Sequence, residues 1–146
     1  MNKTACYLVL CSLFILLANG CASKRISDHT TNSDITTGEW ILVSVRASIR
    51  HDFLSPELEY MPTLKIGDNG TYSGFDSCNR FSGKLVLGND SIKFFPAIST
   101  LKACLDNFDV DNLLRTAFEL VDNYSIKGDK LYLKKDSESM IIYRRY

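Results

Sequence analysis

One stretch breaks a rhythm that the rest of the chain keeps. Between Trp40 and Tyr143 apolar side chains recur at every second position in short runs, and Gly67-Asp68-Asn69-Gly70, Gly88-Asn89-Asp90 and Gly128-Asp129 separate several of them. Alternation puts the apolar groups on one sheet face, and glycine beside asparagine or aspartate supplies tight reversals. The predicted strands are 40–45, 61–66, 71–75, a run through Phe81, Gly83, Leu85 and Leu87, then 91–94, 124–127, 130–134 and 140–143. Within 108–121 the period changes: Val110, Leu113, Leu114, Ala117, Phe118 and Val121 fall on one face of a helix about 20 Å long. Asp106, Asn107 and Asp109 place acceptors at its start, where free amides need them. The pattern predicts a mainly β (α+β) domain whose one helix plugs or covers a curled sheet.

The first residues point to export. Asn2-Lys3 is a short positive region, and Ala5 to Ala18 carries no charge, which is signal-peptide length and short of the roughly 20 residues of a membrane span. Leu17-Ala18-Asn19-Gly20-Cys21 then resembles the lipobox of bacterial lipoproteins, with Ala18 where that pattern has a bulky aliphatic. The resemblance implies cleavage after Gly20 and acylation of Cys21 by fatty acids such as palmitate, two chains giving stable anchoring. A plain secreted product is the alternative. Residues 22–38 hold almost no large apolar groups and are expected to tether the following domain. The division is a signal peptide over 1–20, a lipidated cysteine and flexible tether over 21–38, and one domain over 39–146.

Composition excludes more than it proposes. Seventeen basic and 17 acidic residues give zero formal charge, without the basic and aromatic face that nucleic acid requires. His29 and His51 are isolated, so no metal cluster or cofactor site is expected and none is assigned. Nucleophilic catalysis by Cys78 would need an adjacent base. Asp68, Asp76, Asp106 and Asp109 fall in turns or at the helix start, where acceptors are expected anyway. No catalytic residue is assigned. With Cys6 and Cys11 removed and Cys21 acylated, Cys78 and Cys104 remain in an oxidising compartment, and a disulfide is expected between them. Two buried free thiols are the competing arrangement. Gly74-Phe75-Asp76-Ser77-Cys78-Asn79-Arg80-Phe81-Ser82-Gly83 then reads as a corner of the fold. Asn79 would adopt a left-handed backbone or bond locally two residues on. Arg80 is either solvated or a brace for the turn.

Trp40 opening a strand, Pro62-Thr63-Leu64-Lys65-Ile66, Gly70-Thr71-Tyr72-Ser73-Gly74, Cys78-Asn79-Arg80-Phe81-Ser82-Gly83 and Ser99-Thr100-Leu101-Lys102-Ala103-Cys104 follow one another, then the helix and Gly128 to Leu133. In that order they resemble the META domain, the family of HslJ-like bacterial lipoproteins, with Ser77 departing mildly from its usual pattern. The resemblance implies a small, antiparallel, partly open β-barrel of about seven to eight strands with one packed helix. It marks Asn79, Arg80, Phe81, Gly83 and Thr100 as structural motif residues. It further implies an envelope and stress-response setting without an agreed enzymatic activity. The expected protein is a non-catalytic lipoprotein of the bacterial cell envelope, anchored in a membrane, expected to be the outer one, and acting as a binding or scaffolding module for an envelope protein. Two alternatives stand beside it. Residues 46–61 could insert into a secreted enzyme as an inhibitor, or the twelve aromatics between Trp40 and Tyr132 could line a cavity for an apolar or lipid ligand.

Overall fold

The computed structural model describes residues 35–57, 59–103 and 108–146. Among the described residues these strands and this helix follow in chain order: β1 (Trp40–Val45), β2 (Thr63–Ile66), β3 (Thr71–Phe75), β4 (Arg80–Leu87), β5 (Ile92–Phe94), β6 (Ile98–Ser99), α1 (Phe108–Leu120), β7 (Asn123–Lys127), β8 (Lys130–Lys135) and β9 (Glu138–Arg145). The sheet runs β5-β4-β3-β2-β1-β9-β8-β7, antiparallel throughout, with β6 also paired to β4. Its two ends approach each other. The Ile92 amide donates to the Asp122 carbonyl (3.1 Å) and the Tyr124 amide to the Asp90 carbonyl (2.8 Å). The result is a nearly closed barrel of mostly β structure, with α1 lying against β1, β5 and β9.

The predicted hairpins form where the turn residues stand. Gly70 and Gly128 take positive φ angles of 73° and 60°, conformations that a side chain would strain. Trp40, Leu42, Leu64, Ile66, Leu131, Leu133 and Tyr143 alternate inward along their strands and are almost fully buried. The helix buries Val110, Leu114, Ala117, Phe118 and Val121 against them, which is the stripe that the 3.6-residue period marks. Two differences from the sequence reading appear. Strand β6 is two residues long with both side chains exposed, so no alternation announces it. Ile35, read as part of the tether, is fully buried in the core, and its carbonyl accepts the Trp40 indole N–H at 2.9 Å. The ordered domain thus reaches back at least four residues before Glu39.

Candidate functional site

The stretch from Gly74 to Gly83 spans the β3–β4 connection, and Ser77 rather than Asn79 carries its left-handed backbone (φ 90°). Asp76 supplies the local bonding there. Its Oδ1 accepts the amides of Cys78 (2.9 Å) and Asn79 (2.5 Å) and so fixes the turn from within. Asn79 is thereby free to bond elsewhere in the chain. Its Oδ1 accepts the Thr100 hydroxyl and the Lys102 amide, both at 2.8 Å, and its Nδ2 donates to the Lys102 carbonyl at 3.4 Å. The Arg80 amide donates to Thr100 Oγ1 (3.2 Å) and the Thr100 amide donates to the Arg80 carbonyl (3.1 Å). Residues 79 and 80 therefore clamp the segment around Thr100, which follows β6, while the Arg80 side chain is exposed.

The two bracketing glycines lie within strands and do not make the bend. Gly83 faces Tyr72 across the ladder, and a Cβ there would sit 2.6 Å from the Tyr72 ring. Gly74 faces Phe81, and a Cβ there would meet the Phe81 ring at 2.5 Å and the Thr63 carbonyl oxygen at 2.1 Å. Each missing side chain leaves room for an aromatic ring to lie across the neighbouring strand.

Those rings line a cavity of about 440 Å³ between α1 and the β5–β6 connection. Tyr72, Phe81, Phe94 and Phe118 form its apolar part, with ring centroids 4.8–6.0 Å apart in tilted and edge-on arrangements. The Tyr72 hydroxyl donates to the Phe95 carbonyl at 2.7 Å and so holds the Phe95-Pro96-Ala97 wall in place. Burial raises that phenol above the ordinary tyrosine value.

The polar part of the cavity was legible only in fragments. Asp76 lines it together with Asp111, Arg115 and Glu119 of α1. Asp111 stands one turn before Leu114 and two before Phe118, an acid on the edge of an apolar stripe, and that placement was the available signal. Burial, the nearby Asp76 carboxylate and the hydrogen bond between the two groups push the Asp111 carboxyl up to about 6, against the opposing pull of Arg115. While it is protonated, the Asp111 carboxyl donates a hydrogen bond to the Asp76 carboxylate. Arg115 meanwhile donates to Asn112 Oδ1 at 3.0 Å.

A pH dependence follows from this pair. The folded chain holds the Asp111 proton more tightly than the unfolded chain does. Its contribution to stability is therefore fully present below about pH 4 and is lost as pH rises to about 6. Discounted for partial solvent screening, the loss is about 1 kcal/mol. Asp111→Asn is expected to match the wild type near pH 4 and to exceed it by about that amount at pH 7.5. Urea unfolding at the two pH values measures the difference, and an Asp111→Asn variant less stable at pH 7.5 than at pH 4, relative to wild type, would exclude the raised Asp111 titration.

The other candidate residues lie elsewhere. Cys21, Cys104 and Asp106 lie outside the described residues. Cys78 is buried, and its sulfur lies 3.5 Å from the Lys102 carbonyl oxygen. Asp68 and Asp109 are exposed, and His51 is exposed with its Nδ1 2.7 Å from the Ser48 hydroxyl. Among the described residues no three His, Cys, Asp or Glu side chains gather as metal ligands. The connection between β1 and β2 is tied at its base by paired bonds between Val45 and Leu54, and Arg46 reaches the Ser139 carbonyl at 2.6 Å and Glu138 at 3.1 Å.

These features define a class: a small, nearly closed antiparallel barrel with one covering helix and a lateral aromatic cavity. The META domain model matches residues 33–145, and the chain belongs to the META domain family. Its fold is similar to that of a protein from Burkholderia xenovorans solved by NMR (TM-score 0.61, 18% identity, covering 78% of this chain and 85% of that one). It is also similar to a DUF4847 family protein from Bacteroides vulgatus solved by crystallography (TM-score 0.58, 12% identity, covering 77% and 94%). No curated protein matches.

Proposed function

We propose that this chain is a non-catalytic cell-envelope lipoprotein whose META domain is a binding module, and that its ligand is a small apolar group held in the cavity between α1 and the β5–β6 connection. The observation that carries the reading is the cavity itself. Its volume falls in the range of about 300–1,000 Å³ typical of small-molecule sites, and aromatic rings dominate its walls. The sequence alternatives of an apolar ligand and a binding module thus converge on one place. Anchoring through acylated Cys21 belongs to the same proposal and is supported by the uncharged run ending at Gly20-Cys21.

A disulfide between Cys78 and Cys104 also belongs to it. The position of the Cys78 sulfur supports the pairing: it touches the Lys102 carbonyl, and Cys104 stands two residues further on, within about 7 Å of chain.

The inhibitor alternative rests on residues 46–61, where Ile49 and Tyr60 are exposed apolar groups on a segment tied down at Val45 and Leu54. The cavity has the stronger support because its walls are assembled from five different elements. Mass spectrometry of organic extracts from protein purified out of its envelope tests the proposal. An apolar compound recovered from the wild type and lost from a variant with a filled cavity is expected. Recovery of a stoichiometric protein partner with no extractable compound would favour the scaffolding or inhibitor reading instead.

A further inference from the structure

We infer that the cavity selects a cationic amphiphile, an organic ammonium with an apolar body, whose charged end sits against Asp76 and Asp111 in the cavity wall. The inference deepens the proposed function and rests on the apolar cavity assigned there. Three observations point to it. Asp76 is only 5% exposed, and two backbone amides hold one of its oxygens, so the carboxylate is fixed in position within the wall. Asp111 lies against it, so two carboxyl groups occupy a place where one would suffice to fix the turn. Finally, Tyr72, Phe81, Phe94 and Phe118 line the same cavity, and the face of an aromatic ring attracts an ammonium group as well as apolar carbon.

Geometry sets the shape of the ligand. Asp111, Leu114, Phe118 and Glu119 line one side of α1, so the cavity extends about 10 Å from the acid pair to Phe118 at 1.5 Å per residue. An ammonium at the Asp76–Asp111 end would place its apolar body against Phe94 and Phe118. The charges facing the pair favour a cation. Asp76 and the turn it caps contribute one negative charge. Helix α1 contributes Asp111, Glu119 and Arg115, and β3 contributes the uncharged Tyr72 phenol. With both acids ionised the wall carries three negative charges against one positive, and Arg115 is engaged by Asn112. At pH below about 6 Asp111 is protonated and the attraction weakens; an ammonium that binds there releases the Asp111 proton to solvent, and no bond other than O–H is broken.

The test compares three probes of equal length on the exported full chain carrying Cys21→Ser, so that no acyl chain competes. The probes are 3-phenylpropylammonium, 3-phenylpropanol and 3-phenylpropionate, titrated by NMR at pH 8 and pH 5. The ammonium is expected to bind about tenfold tighter than the alcohol at pH 8, with the advantage shrinking several-fold at pH 5. Asp111→Asn is expected to remove the pH dependence and to leave alcohol binding within about twofold, and Asp111→Glu to restore the preference. The same spectra report whether each variant is folded, and Glu119→Gln, at an exposed position, provides a second charge deletion that is expected to weaken only the ammonium. Equal affinity for ammonium and alcohol at both pH values overturns this inference and leaves the apolar site standing. Tighter binding of the propionate also overturns it and assigns the polar end to Arg115. Failure of all three probes to bind overturns both the inference and the proposed function.

Discussion

Asn79→Ala is expected to destabilise the domain by about 3 kcal/mol, although the side chain is small and lies in a connection. Three bonds disappear together: those from the Thr100 hydroxyl and the Lys102 amide to Asn79 Oδ1, and that from Asn79 Nδ2 to the Lys102 carbonyl. A single net hydrogen bond contributes about 1 kcal/mol, so three lost together come to about 3 kcal/mol. The loss is also not local. The clamped segment continues from β6, and Ser99 borders the cavity, so the wall loosens with the clamp. Asn79→Asp keeps the acceptor and removes the donor, and it is expected to cost less than half as much. Urea unfolding followed by fluorescence of Trp40, the single tryptophan, measures both variants. A cost below about 1 kcal/mol for Asn79→Ala would show that water replaces the clamp without penalty.

Cys104→Ser is expected to lower stability by about 3.5 kcal/mol if Cys104 closes a 27-residue loop with Cys78, the figure that the chain-entropy account assigns to that loop length. Strain subtracts from it, and the value is a large part of the roughly 5–15 kcal/mol typical of a domain. The bond and the Asn79 clamp would join the same two segments, so the double variant measures whether their losses couple. Thiol titration of unfolded protein from an oxidising host provides the direct count. No free thiol at either position is expected, and two free thiols would remove the disulfide from the proposal.

The sheet was legible because its period is short and its turns carry their own chemistry. Strands β1, β2, β3, β7 and β8 each follow an apolar alternation, and Gly70 and Gly128 stand where the reversals need positive φ. The helix was legible for the same reason, since no strand can use apolar residues spaced by three and four. What stayed hidden depends on contacts between residues far apart in the chain. Asn79 could be expected to bond within its own turn, but Asp76 takes that role and leaves Asn79 to reach 21 and 23 residues onward. Gly74 and Gly83 were legible as part of a corner, but not as the spaces that Phe81 and Tyr72 fill. Ile35 could not be told from its polar neighbours until Trp40 was seen to bond its carbonyl. The site was the least legible part. Its rings come from β3, β4, β5 and α1, and the acid pair joins a turn residue to a helix residue 35 positions away.

The proposed function turns on whether the cavity takes up an apolar guest. Titration of the exported Cys21→Ser chain with the neutral fluorophore N-phenyl-1-naphthylamine, alongside the same chain carrying Ala97→Trp, tests this most directly. Ala97 is an exposed residue of the cavity wall, so a bulky side chain there should fill the space without disturbing the core. One-to-one binding with a dissociation constant in the micromolar range, about −8 kcal/mol, is predicted for the parent chain and at least tenfold weaker binding for Ala97→Trp. Absence of binding to the parent chain, or binding that Ala97→Trp leaves unchanged, would contradict a ligand-binding role for this cavity.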